Sequence, residues 1–122
     1  MVDTANPAVR KFVKELNAGT VSLVLLAIME RSDEPLYGYQ IAKRLEESSG
    51  EEVPVKQGTL YPVLRSMEDK GLLESRVEPS VSGPPRKYYT ITGQGREALG
   101  EWKQIWSRTC DFVDSALEGD VG

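Results

Sequence analysis

Gly58-Thr59-Leu60-Tyr61-Pro62-Val63-Leu64, running on to Met67-Glu68-Asp69-Lys70-Gly71-Leu72-Leu73, decides how this chain is read. Leu60, Leu64 and Met67 fall at i, i+4 and i+7, and Val63 widens the stripe, so the segment predicts an amphipathic helix over about 57–70. Gly71 stands where a helix ends in a left-handed residue. The opposite face carries Gln57, Arg65, Ser66 and Asp69, with Lys56 just before it. A second stretch follows, Ser82-Gly83-Pro84-Pro85-Arg86-Lys87-Tyr88-Tyr89. It reads as the tip and return strand of a hairpin, with strands over 72–78 and 86–91 and a loop from Pro79 to Pro85. Gly83 is expected to take an unusual backbone angle, and the two prolines to stiffen the tip. Tyr88 and Tyr89 alternate faces, so one of them packs inward.

Upstream, Asn6 and Pro7 can start a short helix over 7–16, which Asn17 and Gly19 are expected to break. Thr20 can then cap a second helix to about Arg31, apolar nearly all round and therefore central. Ser32 to Pro35 forms a turn. A third helix runs from Tyr37 or Gly38 to Glu47, with Ile41, Ala42 and Leu45 inside. Beyond the hairpin, Thr92 caps a last helix to about Leu117. Its apolar positions, among them Leu99, Trp102, Ile105, Trp106, Phe112 and Val113, form a stripe wider than one small domain needs for docking. The whole predicts an α+β, mostly α, winged helix-turn-helix with a C-terminal dimerisation helix. Residues 1–92 form the DNA-binding unit and 93–122 the dimerisation helix.

Composition narrows the functions. The 122 residues include no histidine and one cysteine, Cys110. That removes Ser-His and Cys-His pairs, the commonest metal ligand and any internal disulfide. No catalytic residue, metal site or cofactor is expected, and the chain reads as no enzyme. Cysteine usage, an N-terminus without a signal-peptide pattern and an apolar stretch of only Val21–Met29 point to a cytoplasmic protein off the membrane. The net charge is −4, yet residues 56–92 hold six basic and four acidic side chains while 93–122 hold three and six. The positive excess thus sits on the helix-hairpin segment, where it can attract phosphates. Glu46-Glu47 and Glu51-Glu52 have nothing to pair them into an acid/base site.

Chemically, the helix beginning near Gln57 presents free N–H groups to an anion. Gln57, Thr59 and Tyr61 add donors, and Lys56 adds charge. Arg86 and Lys87 can lie along a DNA backbone or enter the minor groove. Trp102 and Trp106, four apart on one helix, can pack in a dimer core or wall a site for a planar aromatic effector.

The motifs Tyr37-Gly38-Tyr39-Gln40-Ile41, Gly58-Thr59-Leu60-Tyr61-Pro62 and Pro85-Arg86-Lys87-Tyr88-Tyr89-Thr90-Ile91-Thr92 resemble those of PadR-type transcriptional regulators of the short subclass with one C-terminal helix. The resemblance spans about residues 20–100. It implies a homodimeric, ligand-released repressor on a palindromic double-stranded DNA operator. By position it implies DNA contacts at Tyr39, Gln57, Thr59, Tyr61, Arg65, Ser82, Gly83, Arg86 and Lys87. Trp106-Ser107-Arg108 resembles the helix of members that hold flat aromatic drugs. The rival reading is a winged protein-interaction module that kept the fold without operator binding, which the acidic balance brings into consideration.

Overall fold

A computed structural model describes residues 5–48 and 57–119; Lys56 and the Glu51-Glu52 pair lie outside these, and Gln57 is described by its backbone alone. The chain order is α1 (Pro7–Arg31), β1 (Leu36–Tyr37), α2 (Gly38–Ser48), α3 (Gln57–Asp69), β2 (Leu73–Ser80), β3 (Gly83–Ile91) and α4 (Gly93–Leu117). The strands form one antiparallel sheet in the order β1-β3-β2. The mostly helical plan with a small three-stranded sheet is the expected winged helix.

The core joins every element. Leu25, Leu26 and Met29 of α1 meet Ile41 and Leu45 of α2, and Leu60, Leu64 and Met67 of α3. Leu36, Leu73 and Tyr89 come from the sheet and Leu99 from α4. The helical stripes of α2 and α3 are therefore buried as their spacing implies, and Tyr89 is the tyrosine that turns inward.

The N-terminal helix differs from expectation. α1 is one continuous helix of 25 residues, starting at an Asn6 cap whose Oδ1 accepts the Ala8 N–H at 2.9 Å. The break at Asn17–Gly19 does not occur. Thr20 does not cap a new helix; its hydroxyl donates back to the Leu16 carbonyl four residues earlier. One helical glycine costs only about 1 kcal/mol against alanine, and burial of Val21, Leu25, Leu26 and Met29 outweighs it. The continuous helix is also the one described helix long and apolar enough to cross a membrane by length and composition, so the shortness of Val21–Met29 no longer argues against a span. Of its apolar residues, Val21, Leu25, Leu26 and Met29 are buried within the domain.

The hairpin is longer than expected. Its strands run to Ser80 and from Gly83, leaving Val81-Ser82 as the turn. The prolines read as loop formers fall where the ladder is irregular, between the Glu78↔Arg86 and Ser80↔Gly83 pairs. Proline cannot donate to a ladder, and a bulge is where a strand tolerates it. Gly83 has no left-handed angle; among the described residues only Gly71 and Gly119 do. The two-residue β1 was unexpected. It pairs Leu36 with Tyr89 and Tyr37 with Tyr88.

The junction after α3 is tight. Gly71 has φ +77°, the Leu72 N–H reaches the Met67 carbonyl at 2.9 Å, and the helix ends in a Schellman turn. Thr92 caps α4 by accepting the Gly95 N–H at 2.9 Å, and its own hydroxyl donates to the Gly71 carbonyl at 2.7 Å. A Cβ on Gly95 would lie 2.2 Å from the Leu72 carbonyl oxygen. The start of α4 is thus seated on the end of α3.

Candidate nucleic-acid interface

α3 turns its apolar stripe into the core, so Thr59, Tyr61, Arg65 and Ser66 face outward by helical geometry. The sheet stands beside it. A groove of about 410 Å³ opens between them, lined by Tyr37, Gly38 and Tyr39 from the α2 side, Tyr61 and Arg65 from α3, and Pro85, Arg86, Lys87 and Tyr89 from β3. Five of the residues expected at DNA (Tyr39, Tyr61, Arg65, Arg86 and Lys87) therefore share one concavity. Thr59 is exposed two residues before Tyr61 on α3, and Ser82 and Gly83 are exposed at the hairpin tip. Lys56 and the Gln57 side chain lie outside the described residues.

Aromatic packing holds the groove open. A Cβ on Gly38 would come within 2.9 Å of the Tyr61 ring, so glycine lets the ring lie over the first turn of α2. The Tyr37 N–H donates to Gln40 Oε1 at 3.1 Å, which covers a free donor as α2 begins. Tyr37 stacks with Tyr39 at 6.5 Å between centroids and meets Tyr88 edge-on at 5.4 Å. The Arg86 guanidinium lies 4.5 Å from the Tyr37 ring centroid, a cation–π distance. Tyr37 was not among the expected site residues. Its role depends on the pairing of β1 with β3, which the local pattern does not display.

The cations differ in their partners. Lys87 Nζ is 3.0 Å from Glu68 Oε1, and Glu68 also accepts a hydrogen bond from the Ser75 hydroxyl. The Ser75 hydroxyl first, then Lys87, holds the Glu68 carboxyl below the usual carboxylate range. Glu68 in turn raises the Lys87 ammonium above its ordinary value. Arg76 pairs with Glu78 along β2 at 2.8 Å. Glu68 and Ser75 were likewise not singled out. A signal for them existed: strand alternation puts Lys87 on the face of Tyr89, the inward one.

The two tryptophans occupy a different place. Trp102 is half-buried against the core, whereas Trp106 is exposed. With Ile105 and Thr109 of α4, and Gly19, Ser22 and Leu23 of α1, they line a largely apolar cavity of about 220 Å³. Trp102 and Ser22 also border a second cavity, of about 200 Å³, behind α3. Gly19, which did not break α1, leaves open space at this cavity's wall.

Comparison with known proteins agrees with this geometry. Residues 25–101 match the model of the transcriptional regulator PadR-like family. The crystal structure of a PadR family transcriptional regulator from Eggerthella lenta superposes with a TM-score of 0.79 at 37% identity, covering 91% of this chain and 93% of that one. A PadR-like transcriptional regulator from Bacillus cereus superposes with a TM-score of 0.67 at 34% identity, over 84% of this chain and 96% of that one. The negative transcriptional regulator PadR of Bacillus subtilis is 27% identical over 78 residues, 64% of this chain and 42% of that longer protein.

Proposed function

This chain belongs to the PadR-like family of transcriptional regulators, and from that premise we propose that it is a ligand-responsive repressor binding a palindromic operator as a homodimer. The observation that carries the DNA reading is the single groove in which Arg65 of α3 and Arg86 of the wing converge, framed by Tyr39 and Tyr61. α3 enters the major groove with Gln57, Thr59, Tyr61 and Arg65, aided by Lys56, and the wing places Ser82, Gly83 and Arg86 on the backbone. Residues 93–122 serve as the dimerisation element of a DNA-binding unit spanning 1–92. Exposed Ile105, Phe112 and Val113 on α4 support that role. A two-fold dimer seeks half-sites roughly 34–36 Å apart. Such a protein works in the cytoplasm, where bacterial operators are.

The effector is a planar aromatic compound held against Trp102 and Trp106. The cavity beside them supports this, and the seat of α4 on the end of α3 offers a route from it to the recognition helix. A ligand releases DNA only by favouring a different spacing of the two recognition helices. The test is a shift assay on DNA from upstream of the protein's own gene, with salt titration. Expected is a saturable complex whose log affinity falls linearly with log salt. No complex at low salt would overturn the operator reading and leave the interaction module.

A further inference from the structure

The cations of the wing are not equivalent. Alternation along β3 puts Lys87, Tyr89 and Ile91 on one face and Arg86, Tyr88 and Thr90 on the other. Tyr89 is buried, so the face of Lys87 is the one turned toward the body of the domain. There its ammonium meets Glu68 at 3.0 Å and lies 5.5 Å from the Tyr89 ring centroid. The other Glu68 oxygen accepts the Ser75 hydroxyl on β2. One carboxylate on the recognition helix therefore reaches both strands of the wing. Arg86 rests on the Tyr37 ring, and among the described residues no carboxylate forms an ion pair with it.

We infer that Glu68 is a positioning residue: it clasps both wing strands to α3 and holds Lys87 off the DNA, leaving Arg86 as the wing cation that meets a phosphate. This rests on the proposed DNA binding and divides roles within it. An ion pair this exposed adds little to stability; its effect is geometric, setting the angle between recognition helix and wing. A cation already neutralised within the protein displaces no counterions from DNA, whereas Arg86 does. Glu68 thus limits the non-specific, charge-driven part of binding without removing a cation from the sequence.

The experiment measures equilibrium binding to mixed-sequence double-stranded DNA across a salt series. It compares wild type with Arg86→Ala, Lys87→Ala, Glu68→Gln and the Glu68→Gln/Lys87→Ala double variant. Arg86→Ala should flatten the log–log salt slope by roughly 0.9 per cation removed. Lys87→Ala should leave the slope at its wild-type value. Glu68→Gln should steepen it by a similar amount per cation released, and the double variant should return to wild type. A slope flattened by Lys87→Ala as much as by Arg86→Ala, or unchanged by Glu68→Gln, would overturn the assignment. A readout without DNA separates this from failure of the binding proposal. By NMR, the Glu68 carboxyl should titrate below the usual range in wild type and move upward in both Ser75→Ala and Lys87→Ala. An ordinary titration in wild type would rule out the clasp even if the protein binds DNA. Depressed titration with no DNA binding would leave the clasp and refute the DNA-binding proposal together with Lys87's restraint from DNA.

Discussion

Helices α3 and α4 both carry an apolar stripe, and the chain completes only one of them. On α3, Leu60, Leu64 and Met67 are all buried and the outward face is polar, so a single chain satisfies the helix. On α4, Leu99 is buried and Trp102 half-buried, but beyond them the stripe runs off the body. Ile105 is 53% exposed, Phe112 63% and Leu117 81%. Phe12, Leu16 and Val24 on α1 are exposed as well. Ala98, Leu99 and Trp102 pack the start of α4 onto the core, and Lys103 pairs with Glu30 of α1 at 3.6 Å, while the outer half of α4 stays bare. Burial of such side chains is worth about 1.5–3 kcal/mol each. The contrast separates a helix whose apolar stripe is completed by its own fold from a helix whose stripe the single chain leaves exposed.

The largest expected effect lies on the completed side. Leu64→Ala should cost about 2–5 kcal/mol, read from urea denaturation, because the cavity opens at the centre of the core. A cost below about 1 kcal/mol would mean that α3 is less firmly seated than its burial shows. Next comes the junction that joins the two helices. Gly95→Ala forces a Cβ against the Leu72 carbonyl, which is backbone and cannot swing aside. It should destabilise by roughly 1–3 kcal/mol in thermal or urea unfolding. A neutral outcome would show that α4 is not seated on α3, and the proposed route from effector to DNA would lose its basis.

Much of this was legible in the sequence. The core of α2 and α3, the Gly71 stop, the Thr92 cap and the inward turn of one tyrosine all follow from short-range periodicity and capping chemistry. Three features were not legible, for physical reasons. α1 stays whole because long-range burial of Leu25 and Leu26 outweighs the local penalty at Gly19. β1 exists only through its pairing with Tyr88 and Tyr89, some fifty residues away. The wing prolines look like a loop until the bulge that accommodates them is seen. At the interface, Tyr39, Tyr61, Arg65, Arg86 and Lys87 were named from motifs and do converge on one groove. Tyr37, Glu68 and Ser75 were not, because their importance comes from what the sheet places beside them.

A smaller effect concerns pH. The Glu68 carboxyl is held low by Ser75 and Lys87, and the Lys87 ammonium is held high by Glu68. For the depressed carboxyl, stability is present above its ordinary value and lost as pH falls through the lowered folded value. For the raised ammonium, stability is present below its ordinary value and lost as pH rises through the raised one. The pair is therefore fully formed between these limits, neutral pH included. Unfolding curves of wild type and Glu68→Gln should run parallel near neutrality and converge on acidification. Curves that stay parallel into acid would show that the pair contributes nothing.

The smallest effect on the single chain's fold, and the most telling for assembly, is expected from Ile105→Glu with Phe112→Glu. Both side chains are exposed in one chain, so neither charge enters its core. Sedimentation equilibrium of wild type and this double variant, with circular dichroism to confirm folding, tests most directly that α4 is completed by a second copy. Wild type should sediment as a dimer and the variant as a helical monomer. A wild type that sediments as a monomer at micromolar concentration, or a variant that remains a dimer, would contradict it.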